Sequence, residues 1–193
     1  MKSTPTLPEN YKEILAVDLQ KNKKLALLVN IAALAVSTVM AVLGIIFKPL
    51  DFDLLIENPL ISILIIIATY LGILLYILLH ELTHGVFIYH YSKKKPKFGF
   101  TLLYAYAGSD CYFAKLPYII IALSPVIFWG LVLLVLNLTL PDYLFWPIYL
   151  IQIMNISGAA GDVYVTLKFT KLPKDILVLD TGIAMTVYSA EEV

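Results

Sequence analysis

The sequence predicts an all-α membrane protein of four transmembrane helices, with a short cytoplasmic β-hairpin-like segment between the second and third. Three observations predict it. The chain of 193 residues is 60% hydrophobic, against about 45–50% for an average soluble domain, and its mean hydropathy is +0.85. It holds four apolar runs that reach the roughly 20 residues a helix needs to cross a bilayer. Its positive charges also fall almost entirely on one side of those runs, as cytoplasmic loops require.

Taken in order, residues 8–20, "PENYKEILAVDLQ", suggest a short helix with Tyr11, Ile14 and Leu15 on one side. It would lie flat on the inner leaflet or stand solvated. The first span covers about 25–47. It starts too late, and is too long, for a cleavable signal peptide. The second covers 60–89 and the third about 116–138. In the third, Ser124-Pro125 would kink the helix and free a carbonyl that a neighbour must satisfy. The fourth covers about 143–167. Trp129 and Trp146 read as interface anchors. Between spans two and three, "KFGFTLLYAYAGSDCYFAK" is aromatic and β-branched around "AGSD", which reads as two strands and a turn. The tail, 168–193, is too polar to span and reads as extended cytoplasmic chain. No repeat divides the sequence, so a single membrane-embedded domain, 1–193, accounts for it.

All 14 basic residues are lysine. Lys2, Lys12, Lys21, Lys23 and Lys24 precede span one. Lys93, Lys94, Lys95, Lys97 and Lys115 lie between spans two and three. Lys168, Lys171 and Lys174 follow span four. Lys48 alone falls on the other side, with Asp51, Asp53, Glu57 and Asp142. Both termini and the 91–115 loop are therefore expected in the cytoplasm, with the chain in the cell membrane. Net charge is zero, so the basic footprint of a nucleic-acid binder is missing. Cys111, the single cysteine, excludes an intramolecular disulfide and a cysteine zinc knuckle.

The chemistry concentrates in "YILLHELTHGVFIYH", residues 76–90. Ionisable groups at membrane depth cost a few kcal/mol each and mark function. His80 and His84 are one helical turn apart and project from one face. That spacing suits two imidazoles on one zinc ion, with Glu81 beside it to take a proton from water. Catalytic zinc takes three protein ligands and keeps one position open. His90 fails as the third: it lies on another face of the same helix, at the cytoplasmic interface. With no further histidine, the third ligand must be a carboxylate. Asp162, in "NISGAAGDVYV", is the one acid besides Glu81 within a span. His80 is 20 residues from the outer start of its span and Asp162 is 19 from the start of its own. At 1.5 Å per residue both reach about 30 Å, the cytoplasmic edge of the hydrocarbon. Gly158 and Gly161 would allow close helix approach beside Asp162. Asn155 has three open roles: binding substrate backbone, orienting a ligand, or tying two helices together.

"HELTHG", "ALSPVIF" and "NISGAAGD", with "LPENYKEI" and "LPKDILVLDTG" near the ends, resemble the zincin peptidase family of small multi-pass bacterial membrane proteins. That family is related in pattern to site-2-type intramembrane metalloproteases. The resemblance implies one zinc per chain at His80, His84 and Asp162, with Glu81 as base. Site-2 proteases carry Asn, then Pro, then Leu-Asp-Gly in the matching span; here Asp162 sits between Gly161 and Val163. The expected activity is hydrolysis of a membrane-associated protein or peptide near the cytoplasmic face. The alternatives are a zinc-stabilised scaffold without catalysis and a small ion transporter. Substrate identity and oligomeric state are left open.

Overall fold

The computed structural model describes residues 2–50, 56–101 and 104–190. Asp51 and Asp53, counted above on the lysine-poor side, lie outside the described residues, as do Leu102, Leu103 and the last three residues of the tail.

Three helices are long and apolar enough to cross a membrane: α1 (Lys23–Phe47), α2 (Pro59–Ser92) and α3 (Lys115–Thr139). Side chains such as Leu34, Ile66 and Leu131 stand more than half exposed on their outer faces. A helix apolar all round, with its leucines facing outward, needs a non-aqueous neighbour. Asn22 caps α1 through its side-chain oxygen on the Leu25 N–H, and Pro59 opens α2 at a position where its missing N–H costs nothing.

The expected fourth span is not one helix. It is split into α4 (Phe145–Gly158) and α5 (Ala160–Thr170), with Ala159 at φ −77° and ψ 9° between them. Gly158 and Gly161 flank the break, and glycine is poor at holding a helix together. The break sets Asp162 in the first turn of α5, where the helix dipole favours a carboxylate.

The chain is mostly helical, as expected, but its strands are not confined to the one segment foreseen between the second and third helices. Seven strands form among the described residues: β1 (Ser3–Thr4), β2 (Lys12–Val17), β3 (Lys97–Phe100), β4 (Ala105–Gly108), β5 (Tyr112–Ala114), β6 (Leu177–Asp180) and β7 (Met185–Ser189). Five build one antiparallel sheet in the order β1-β5-β6-β7-β2. The segment read as an N-terminal helix is thus β2, paired with β7. A bulge at Ile14, where Glu13 faces Tyr188 and Leu15 faces Val187, lets the adjacent Ile14 and Leu15 both pack on the core. It breaks the period-2 alternation that would have marked a strand. The tail read as extended chain is the β6–β7 hairpin.

Residues 97–115 do form strands between α2 and α3, in a different pairing from the expected one. β4 pairs with β3, while β5 leaves for the larger sheet. "AGSD" is therefore a crossing between two sheets, held where the Ser109 N–H donates to the Asp180 carbonyl at 2.7 Å. One buried cluster joins the larger sheet to the near ends of α2, α3 and α5. Phe113, Phe169, Ile176, Val178 and Val187 are at most 1% exposed. The candidate site lies where this core meets the helices.

Candidate metal centre

The three sequence-predicted ligands come together. The Nε2 atoms of His80 and His84 each stand 3.8 Å from Asp162 Oδ2, and one donor atom from each residue lies within 4.8 Å of the others. α2 presents the histidines one turn apart, and the break before α5 delivers the carboxylate. The histidine rings meet edge to face, with centroids 4.9 Å apart. His90 takes no part: it is exposed, against the Tyr91 ring.

Hydrogen bonds on the far side of each ring select the tautomer a metal needs. His84 Nδ1 lies 2.9 Å from the Ile121 carbonyl. A carbonyl only accepts, so Nδ1 carries the proton and the Nε2 lone pair is free. That carbonyl is available because Pro125, four residues on, has no N–H to donate to it. The carbonyl also accepts from Ser124 Oγ. The neighbour that satisfies the proline-freed carbonyl of the third span is thus a ligand histidine.

His80 is oriented by a longer chain. Asn155 Nδ2 donates to the Val126 carbonyl at 3.1 Å. Its Oδ1 then faces Tyr76 and accepts the Tyr76 hydroxyl at 2.7 Å. With its proton committed, the Tyr76 oxygen accepts from His80 Nδ1 at 2.8 Å. Nε2 of His80 is left as the lone pair facing Asp162. Asn155 is fully buried, so of the roles open to it, orienting a ligand and tying helices fit its position, and it has no face toward a substrate.

The donor set fits zinc: two neutral imidazole nitrogens, each held through its other nitrogen, and one carboxylate. Three ligands leave a position open, and the group lines a cavity of about 510 Å³. Glu81 lines it too, with Ala107 of β4 among its neighbours on the cavity wall. Gly158 and Gly161 also line it, and a Cβ built on either meets nothing within 4 Å. These glycines keep space beside Asp162 open; they do not bring helices into contact. Gly85 does accommodate a neighbour, since a Cβ there would run into the Phe98 ring of β3. Trp129 is no interface anchor: its indole N–H donates to Thr83 Oγ1 at 3.0 Å, across α2 and α3.

Several residues escaped the sequence reading. Asp180 of β6 lines the cavity, accepting from Tyr118 Oη at 2.6 Å and from the Gly182 N–H at 2.8 Å. Burial pushes its carboxyl up to about 6, opposed by those two bonds and reinforced by the Asp162 charge. Tyr76 had a detectable signal, four residues before His80 on the same helical face. Asp180 had none beyond being an acid after an apolar run.

Comparison with protein families matches residues 72–177 to the family described as "Putative zincin peptidase". The match takes in both histidines, Glu81 and Asp162, and stops before Asp180. No curated protein and no solved structure matches the chain.

Proposed function

The chain belongs to that zincin peptidase family, and from this premise we propose that it is a membrane-embedded zinc metallopeptidase. It would hydrolyse a peptide bond of a membrane-associated protein or peptide near the cytoplasmic face. The observation that carries the reading is the convergence of His80, His84 and Asp162 beside Glu81 on one open cavity. A structural zinc site is closed by four ligands, whereas three ligands facing a cavity suit catalysis.

The three residues would hold the ion, which when bound polarises the scissile carbonyl and makes water more acidic. Glu81 accepts the proton of the attacking water and passes it to the leaving amine as the C–N bond breaks. Among the described residues β4 has β3 on one side only, and Ala105 to Ala107 line the cavity. An extended substrate can pair there as an added strand, bringing its backbone past the three ligands.

The membrane reading rests on α1, α2 and α3 and on a parity argument. β2 and β5 share a sheet with α1 and α2 between them. β5 and β6 share it with α3, α4 and α5 between them. Strands of one sheet must lie on one side of the bilayer, so an even number of crossings separates each pair. The broken α4–α5 pair then counts as one crossing, giving four in all. The lysine-rich segments fall on the sheet side, which supports a cytoplasmic sheet and cytoplasmic termini. From Pro59 to His80, α2 rises about 32 Å, enough to put the ligands at the inner edge of the hydrocarbon.

The test is zinc content together with cleavage of a membrane-tethered reporter, for wild type and Glu81→Gln. The expected outcome is full zinc with cleavage lowered by at least about 100-fold, the lower end of what a general base contributes. Undiminished cleavage by the variant rules out the role assigned to Glu81. Wild type purified without chelator yet free of zinc sinks the site.

A further inference from the structure

A second cavity, of about 590 Å³, lies apart from the metal centre, where α2 ends and α3 begins. Lys2, Lys115, Lys174 and His90 line it, and among the described residues no carboxylate does. Among the described residues none of these three ammonium groups forms an ion pair; the paired lysines are Lys21, Lys48 and Lys97. Lys115 donates to the Thr170 and Leu172 carbonyls, at 3.0 and 2.6 Å, and so is fixed in place. Lys2 stands over the Tyr91 ring, 5.8 Å from its centroid. Three cations brought to one concavity, with no counter-charge among the described residues, repel one another and favour entry of an anion.

The rest of the lining is apolar. Leu116, Ile119 and Ile120, in the first two turns of α3, complete it, and Leu116 is 66% exposed. Cations at the helix ends with an aliphatic wall one turn deeper match the order of a phospholipid, headgroup above and acyl chain below. A free phosphate would have no use for that wall.

We propose that this cavity binds one anionic phospholipid of the inner leaflet, its phosphate among Lys2, Lys115 and Lys174 and its acyl chain against Leu116, Ile119 and Ile120. The proposal rests on the membrane reading above. The bound lipid would pin Lys2, beside β1, and Lys174, ahead of β6, to the α2–α3 junction, bracing the sheet against the bilayer.

The test is native mass spectrometry of the full chain in detergent, titrated with phosphatidylglycerol or phosphatidylcholine. Lys2→Gln/Lys174→Gln is compared with Lys94→Gln/Lys95→Gln, which removes the same charge outside the cavity. The expected result is a single phosphatidylglycerol bound in preference to phosphatidylcholine. Its affinity should fall about 25-fold in the first variant, roughly fivefold per lysine, and stay unchanged in the second. Equal losses in the two variants, or equal binding of the two lipids, overturn the proposal. So does displacement of phosphatidylglycerol by excess inorganic phosphate, which would make the occupant a free anion. Alkaline carbonate extraction separates the two readings. A chain released from membranes by carbonate overturns the membrane reading as well. A chain that stays in the membrane without lipid preference overturns the lipid site alone.

Discussion

Pro125 and His84 are coupled through one oxygen. The Ile121 carbonyl, left without a helical donor by Pro125, takes the His84 Nδ1 proton at 2.9 Å. A proline that reads in sequence as a kink therefore helps to orient one of the three candidate metal ligands. In Pro125→Ala the new N–H competes for the Ile121 carbonyl, and His84 loses its orienting partner. Zinc affinity is expected to fall about tenfold, the lower end of such effects. Thermal stability should hold or rise, because a proline inside a helix costs about 3 kcal/mol. Competition with a chromogenic chelator measures the affinity; an unchanged value would refute the coupling.

Tyr76 is the middle of the chain from Val126 through Asn155 to His80. Tyr76→Phe leaves the Asn155 Oδ1 and the His80 Nδ1 proton unpaired in a buried place, at about 1–3 kcal/mol of stability. Zinc affinity should drop about 10–100-fold. Tyr118→Phe, whose hydroxyl serves Asp180, should leave zinc affinity at the wild-type value. Equal effects from the two substitutions would show that His80 is oriented by packing alone.

Gly85 separates binding from turnover. A Cβ there meets the Phe98 ring, with Pro96 behind it, so Gly85→Ala must shift that ring and disturb the β3–β4 hairpin that carries it. That disturbs β4, which shares the cavity wall with Glu81, without touching the three ligands. Zinc content should be intact and cleavage of the reporter about 100-fold lower, the cost of an ångström-scale misplacement. Phe98→Leu in the Gly85→Ala background should recover much of the loss; a double variant no better than the single one contradicts this arrangement.

Asp180 makes stability depend on pH. Burial raises its folded-state pKa to about 6, from 3.8. The protonated form is therefore favoured on folding. Its contribution is fully present below about pH 4 and is lost as the pH rises through about 6. Wild type should lose melting temperature between pH 4 and 7 relative to Asp180→Asn, which has no carboxyl to ionise. Parallel melting curves across that range would show that Asp180 does not titrate there.

How far the sequence could be read follows from the range of each signal. His80, Glu81 and His84 stand out because a helix repeats them within one turn. Asp162 was found through rise per residue, which survives the break at Ala159 because the break costs little length. The larger sheet had no comparable signal. β2 meets β7 some 170 residues along the chain, and β1 and β5 pair over just two register positions, Ser3 with Phe113 and Thr4 with Tyr112. Strands this short carry too few residues for alternation to register, and the bulge at Ile14 erases it in the longest of them. The roles of Tyr76, Asn155 and Pro125 lie in contacts between helices, and no single helix's periodicity encodes them.

The strand order β1-β5-β6-β7-β2 also dictates a timetable. β2 is made well before its partner β7, and α1 to α5 all come between them, so the two can meet only after those helices have been made. Leu19 and Gln20, just after β2, and Asp180 and Gly182, at the β6–β7 hairpin, together wall the cavity. During synthesis His80, His84 and Asp162 can gather on the helices while that wall is still missing. Gathering of the three side chains and completion of the cavity are thus separate steps, and the second waits for the β6–β7 hairpin.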